Sequence, residues 1–125
     1  MSKRAIFSKN APEAIGPYSQ AVVFGDFVFV SGQIPLRKDG TLVSGDFEKE
    51  VKQVFNNISE ILKEENLNFS NILMVNVYLK DIGLFSKLNE IYKEYFSPPF
   101  PSRAVVEVSK LPKDVRVETS VIAGK

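Results

Sequence analysis

The sequence predicts an α+β domain in which about six β-strands form one sheet and two helices pack on one face of it. Residues 47–62 and 84–96 carry apolar side chains at helical spacing. The segments around them alternate in polarity or are bounded by turn residues, as strands are. The resulting order is β-β-β-α-β-α-β-β, which is typical of helices covering one face of a single sheet.

The individual elements follow from local signals. The first helix is expected to start at the N-cap residue Asp46 and to end near Asn66. The second is expected to start at Asp81 and to end before Pro98, because proline cannot continue a helix. Strands are predicted at 5–7, 18–24, 27–31, 72–80, 102–109 and 115–123.

Composition restricts the classes of function. The chain has 125 residues, which fits a single domain over 1–125, and its formal net charge is +1. That balance gives no electrostatic argument for binding nucleic acid. The chain has no cysteine and no histidine, which excludes disulfides, thiolate nucleophiles, Cys/His zinc sites and a Ser-His-Asp triad. Acid–base chemistry would have to use carboxylates, lysine, tyrosine, backbone groups or water.

Location and assembly can also be predicted. No apolar run is long enough to span a bilayer, and the basic N-terminus has no apolar signal core behind it, so we expect a cytoplasmic protein. Residues 27–30 are apolar on both faces of their strand, as is much of 72–78 and 104–108. Two helices cover only one sheet face, so we expect the other face to need a partner, most simply a second copy of the chain.

The last two predicted strands carry the most informative pair of charges. A short connection at 109–114 suggests that these strands form an antiparallel hairpin. If Val108 opposes Val115, Arg103 falls opposite Ser120 and lies diagonal to Glu118 on the same face. A shift of one residue would put Arg103 and Glu118 on opposite faces. In the first register the arginine could bind a carboxylate and the glutamate could hold a water beside it.

Several separated motifs resemble those of the RidA (YjgF) family of reactive-intermediate imine deaminases. They occur in the family's order and extend from about residue 10 to residue 123. The motifs are NAPEAIGPYSQA at 10–21, VSGQIP at 30–35, NVYLKD at 76–81, NEIY at 89–92, PSRA at 101–104, EV at 107–108, LP at 111–112 and VE at 117–118.

The resemblance implies a fold and an activity. The fold would be chorismate-mutase-like, in a homotrimer with sites in the clefts between subunits. The activity would be hydrolytic deamination, without cofactor or metal, of 2-enamino and 2-imino acids such as 2-aminoacrylate, 2-iminopropanoate and 2-iminobutanoate. The products would be 2-oxo acids and ammonia.

The resemblance also implies catalytic residues. Arg103, in the family's Pro-x-Arg motif, would bind the substrate carboxylate, and Glu118 would position the attacking water. Tyr18 would line the cleft and hydrogen-bond substrate or water. Each residue has a structural alternative: a surface arginine at a strand end, a solubilising charge on a strand, and a tyrosine packed at a strand start. The residues alone favour the structural alternative for Arg103, and the resemblance reverses that preference.

Four further residues are implied in substrate binding. Ser31 would contribute its hydroxyl, and Gly32 would allow close approach of the backbone. Asn89 would support the site or a subunit contact, and Val105 would contribute backbone groups where many relatives carry a cysteine. The structural alternatives are a strand-to-loop transition for the first pair and a solvated helix face for Asn89.

Two other functions remain open at this point. The same arginine could bind small carboxylates as signals in a regulatory module without turnover. Some relatives are associated with RNA-directed inhibition of translation, but the dispersed lysines and near-neutral charge of this chain disfavour binding to nucleic acid.

Overall fold

The computed structural model describes residues 2–125 and confirms both the order of elements and the α+β architecture. One sheet of six strands carries two helices on one face. The strands are β1 (Arg4–Ile6), β2 (Ala21–Phe24), β3 (Phe27–Gln33), β4 (Ile72–Leu79), β5 (Ser102–Glu107) and β6 (Val117–Gly124), and the helices are α1 (Phe47–Lys63) and α2 (Phe85–Tyr92).

A side-chain cap starts α1, whereas α2 follows a capped 3-10 turn and its own N-cap residue, Leu84, makes no side-chain hydrogen bond. The Asp46 side chain accepts a hydrogen bond from the Lys49 backbone N–H at 3.2 Å and starts α1. The Asp81 side chain accepts from the Gly83 N–H at 2.8 Å, which caps a single 3-10 turn, and α2 follows at Phe85. Within residues 2–125, no helix is both long and apolar enough to cross a membrane.

The strand order in the sheet is β1-β2-β3-β6-β4-β5. All neighbouring strands are antiparallel except β4 and β5, which are parallel and are joined through α2. A parallel pair needs such a crossover, and its right-handed form places the helix on the sheet face that α1 also covers.

The predicted hairpin between the last two strands is wrong. β4 lies between β5 and β6 and pairs with both: Val75 is in register with Arg103 on one side and with Val121 on the other. The short connection suggested direct pairing, but β4 is apolar on both faces and occupies the interior position instead. Arg103 and Glu118 are therefore separated by a whole strand.

The core lies between the sheet and the helices. Phe55 of α1 is fully buried and meets Phe69 and Tyr95 edge to face, with ring centroids 5.6 and 4.7 Å apart. Tyr92 of α2 stacks on Phe96 at 4.2 Å and continues this aromatic cluster. Each such ring contributes about 1.5–3 kcal/mol through burial, so the cluster fixes α2 firmly against α1 and the sheet.

The opposite face of the sheet carries large apolar side chains that the chain itself does not cover; we call it the open face. Its aromatic part lies on β2 and β3, and β4 and β5 add aliphatic side chains. The most exposed members are Phe24, Phe27, Phe29, Leu73 and Val106, each 45% to 48% accessible. A monomer rarely exposes so continuous an apolar surface, so a covering second copy of the chain stays our prediction.

One carboxylate ties both ends of the chain to the end of α1. Glu65 is 10% exposed and accepts two hydrogen bonds from the Arg4 guanidinium, at 2.7 and 3.1 Å. The Lys125 ammonium lies 3.2 Å from the same carboxylate. These cations lower the pKa of Glu65 from 4.5 to about 2, Arg4 having the larger effect.

We expect Glu65→Gln to lower the free energy of unfolding at neutral pH by about 1–2 kcal/mol, allowing for the exposure of both cations. Because the pKa is depressed in the folded state, this stabilisation is present above pH 4.5 and is lost as the pH falls towards about 2. Urea unfolding across that range measures it. The neighbouring exposed Glu64→Gln variant is the control, and a difference that persisted unchanged at the acid end would contradict the ion-pair explanation.

Candidate active site

Arg103 lies on the helix-covered face at the outer edge of the sheet. Its register partner Val75 is fully buried on that face, so the arginine side chain points towards α2. Its Nη1 donates a hydrogen bond to Asn89 Oδ1 at 2.9 Å. Its guanidinium carbon lies 4.7 Å from the ring centroid of Tyr92 and 5.4 Å from that of Phe85. Two rings and one amide therefore hold the cation in place.

The supporting groups of Arg103 are all neutral. Among residues 2–125, no carboxylate lies within 4.0 Å of this guanidinium, whereas Arg4 and Arg116 are each paired with a glutamate. Arg116 contacts the buried Glu50 through two hydrogen bonds, at 2.5 and 3.1 Å. The charge of Arg103 is thus left uncompensated, which favours binding of an anionic ligand.

A cavity of about 450 Å³ adjoins the guanidinium, which is within the usual size range of small-molecule sites. Its wall combines the arginine, the amide that holds it, aromatic rings and one lysine. The lining residues are Asn89, Tyr92, Lys93, Phe100, Pro101 and Arg103.

Glu118 lies on β6 and faces the open side of the sheet. Its neighbours Val117 and Thr119 are buried on the helix side, so the glutamate projects from the opposite face. Its register partner on β4 is Tyr78. Burial raises the pKa of the Glu118 carboxyl above its usual 4.5. The residues described, 2–125, supply this carboxylate with neither an ion pair nor a side-chain hydrogen bond.

Gly32 lies directly against this carboxylate. The pairing of β3 with β6 shifts register between Val30 and Gln33, and the irregular backbone brings Gly32 against the glutamate. A Cβ built at Gly32 would lie 2.4 Å from Glu118 Oε2, so a side chain at residue 32 would displace the glutamate side chain. The absence of a side chain therefore leaves room beside the carboxylate.

Ser31 precedes Gly32 on β3, Tyr18 lies in the loop before β2, and both side chains already make hydrogen bonds of their own. The Ser31 hydroxyl donates to the Ser19 carbonyl at 2.7 Å. The Tyr18 hydroxyl accepts from the Ile15 N–H at 3.2 Å, while half of the residue's surface stays exposed. The buried Gln20 side chain fixes this loop by accepting from the Ser8 N–H at 2.6 Å.

The structure divides the sequence-predicted residues into two groups. Arg103 and Asn89 are in contact, and Val105 follows on the same face of β5. Tyr18, Ser31, Gly32 and Glu118 belong to β3, β6 and the loop before β2. Two strand spacings, about 10 Å, and the thickness of the sheet separate the groups.

Phe85 and Tyr92 are functional candidates that the sequence reading assigned only to the apolar stripe of the second helix. With Asn89 they follow the spacing i, i+4, i+7, which places all three on one face of α2. This spacing, combined with an arginine on the strand that follows the helix in the sequence, could have identified them.

The sequence and the fold both match known proteins. A profile of the endoribonuclease L-PSP family matches residues 8–125. A RutC family protein of Pyrococcus abyssi is 48% identical, with 100% of this chain and 99% of the relative covered. The human 2-iminobutanoate/2-iminopropanoate deaminase is 45% identical, with 97% and 89% covered.

Solved structures agree closely with this fold. A protein of the Rid family from Yersinia pestis superposes with a TM-score of 0.95 at 44% identity, covering 99% of this chain and 100% of that one. Escherichia coli TdcF, solved with bound serine, superposes with a TM-score of 0.91 at 35% identity, covering 98% of each chain.

We expect Glu118→Gln to raise the free energy of unfolding at neutral pH by about 0.5–2 kcal/mol, because an unpaired carboxylate is costly where it is half-buried. Since its pKa is raised in the folded state, the contribution of Glu118 to stability is present below pH 4.5 and is lost as the pH rises through the higher folded value. Denaturant unfolding at equal protein concentrations tests this, with Glu64→Gln again as control. A gain that persisted at acid pH would point to a cause other than charge.

Proposed function

This chain belongs to the RidA (YjgF) family, and we propose that it hydrolyses small 2-imino and 2-enamino acids to 2-oxo acids and ammonia. The observation that carries the proposal is Arg103, a guanidinium supported only by neutral groups beside a ligand-sized cavity. The naming of human, goat and cattle relatives as 2-iminobutanoate/2-iminopropanoate deaminases supports the same reaction.

The proposed reaction begins with orientation of the substrate. Arg103 binds the carboxylate through two parallel N–H···O bonds, which fixes the position of the adjacent imine carbon. The backbone N–H and C=O groups of Val105 and Gly32 bind the rest of this small molecule. An enamine first takes a proton at C3 and loses one from nitrogen, which converts it to the imine.

Water then attacks the imine carbon. The Glu118 carboxylate accepts a hydrogen bond from this water and takes its proton as the C–O bond forms. The proton passes to the nitrogen, the C–N bond of the carbinolamine breaks, and ammonia leaves together with the 2-oxo acid. The hydroxyls of Tyr18 and Ser31 line the path of these protons. No cofactor is needed, since the uncatalysed reaction already proceeds in water and orientation accelerates it.

The raised pKa of Glu118 suits this role. Burial raises the pKa of Glu118, so its ionised form is a stronger base than an exposed carboxylate. Because only the ionised form accepts a proton, activity should fall as the pH decreases through this raised value.

The two groups of residues lie on opposite faces of one chain, so we propose that a complete site joins Arg103 of one subunit to Glu118 of the next. The open face supplies the apolar surface that such an assembly would bury. A closed ring of three subunits would contain three equivalent sites. Each subunit would supply Arg103 to one site and Glu118 to another.

Arg103→Ala should reduce kcat/KM for 2-iminobutanoate by at least about 100-fold, since the carboxylate loses a charge-assisted pair of hydrogen bonds. Release of 2-oxobutanoate is measured by a coupled dehydrogenase. Arg37→Ala is the matched control, because Arg37 is exposed and bonds only to the nearby Thr41 and Leu42. Full activity of Arg103→Ala in an intact oligomer would show that the site is assigned to the wrong residue.

Mixing the inactive variants Arg103→Ala and Glu118→Gln should restore activity if the site is shared. In randomly mixed trimers at equal amounts, about one quarter of all sites contain both functional side chains. The measurement is turnover after denaturation and refolding of the mixture, against each variant refolded alone. A mixture as inactive as its components would show that one chain supplies both residues.

A binding module without turnover is the second candidate, since a structural relative was solved with bound serine. Calorimetry with 2-oxobutanoate combined with the activity assay separates the two. Binding without acceleration of hydrolysis would favour the module.

A further inference from the structure

The cavity beside Arg103 contains a second positive charge. Two of its lining residues, Arg103 and Lys93, are cations, and none of them is acidic. A cavity with two cations and no carboxylate has an excess of positive potential that a ligand with a single negative charge only partly neutralises.

The helix α2 and the residue after it place Lys93 where it can act together with the arginine. Asn89, Tyr92 and Lys93 follow the spacing i, i+3, i+4, so they lie on one face. Asn89 holds the guanidinium at 2.9 Å, and Tyr92 lies beneath it. The lysine is thus about one helical turn from the amide that fixes Arg103, which is the length scale of a short substrate side chain.

Lys93 also differs from the other lysine of this helix. Lys87 lies 3.9 Å from a carboxylate oxygen of Glu48 and 3.8 Å from one of Glu90. In the structure of residues 2–125, Lys93 has no acidic group within 4.0 Å. Its ammonium is therefore available to a ligand, while Lys87 is engaged with the protein's own acids.

We propose that the preferred substrates are 2-imino dicarboxylic acids, whose side chain ends in a second carboxylate. This inference rests on the proposed function and specifies its substrate class. Arg103 binds the carboxylate next to the imine, and Lys93 binds the one at the end of the side chain. The reaction is the same hydrolysis: water adds to the C=N bond, ammonia leaves, and a 2-oxo dicarboxylate is formed.

Product-like acids test the proposal in the intact oligomer. Calorimetry compares 2-oxoglutarate with 2-oxohexanoate, which lacks the second carboxylate, for the wild type, Lys93→Met and the control Lys87→Met. We expect the wild type to bind 2-oxoglutarate about fivefold more tightly, the effect of one largely exposed ion pair. Lys93→Met should bring the ratio of the two affinities close to 1, and Lys87→Met should leave this ratio as in the wild type. The ratio of affinities should also fall as salt is added, because salt screens the ion pair.

Turnover provides the second measurement. An amino-acid oxidase generates the imines of glutamate and of 2-aminobutanoate in place, and the release of each 2-oxo acid is followed. Equal affinity for the two acids, or a preference for 2-oxoglutarate that survives Lys93→Met, would overturn the dicarboxylate proposal. If 2-iminobutanoate were still hydrolysed in that case, the proposed function would stand. Absence of both binding and hydrolysis for every acid would overturn the proposed function and this substrate class together.

Discussion

The position of β4 between β5 and β6 determines where the two charged candidate residues, Arg103 and Glu118, lie. Through its register with Val75, β4 holds Arg103 on the face that the helices cover. Through Tyr78 it holds Glu118 on the open face. Because these side chains point to opposite faces and a whole strand lies between them, they do not meet within one chain. Assembly of the proposed site would therefore depend on the open face, whose apolar side chains the chain itself leaves uncovered.

Charge compensation separates Arg103 from the structural arginines. Arg4 and Arg116 are neutralised by Glu65 and Glu50, and these pairs hold the chain ends and the start of β6. Arg103 instead rests on Tyr92 and Asn89, which fix its orientation without cancelling its charge. A carboxylate in that position would position the guanidinium equally well but would compete with an anionic ligand. Neutral support is therefore what a binding arginine requires and a structural one does not.

The sequence predicted the elements well because their signals are local. Asp46 caps α1 as expected, and the six strands lie within a few residues of the predicted positions. Asp81 instead caps a 3-10 turn, and α2 begins only at Phe85. Pairing between strands was harder, because the contact of Val77 with Thr119 joins residues far apart in the chain. The short loop after β5 favoured a hairpin that the insertion of β4 prevents. The contacts of Phe85 and Tyr92 with Arg103 were missed for a related reason. Apolar spacing on a helix does not reveal which residue of another element packs on it.

In the proposed mechanism, Glu118 would sacrifice stability for reactivity. Its carboxylate is partly removed from water and has no cation beside it, so its burial raises the pKa and destabilises the ionised, folded form. A lysine or arginine of the same chain paired with Glu118 would relieve this cost, but it would also weaken the base that is meant to activate water. In the proposed shared site, the charge of Arg103 is instead taken up by the substrate carboxylate. Gly32 makes the same compromise in the backbone, because the absence of a side chain adds flexibility yet leaves room beside the carboxylate. Both features are unfavourable for a purely structural strand, and both suit the small polar ligand that the proposed site would bind.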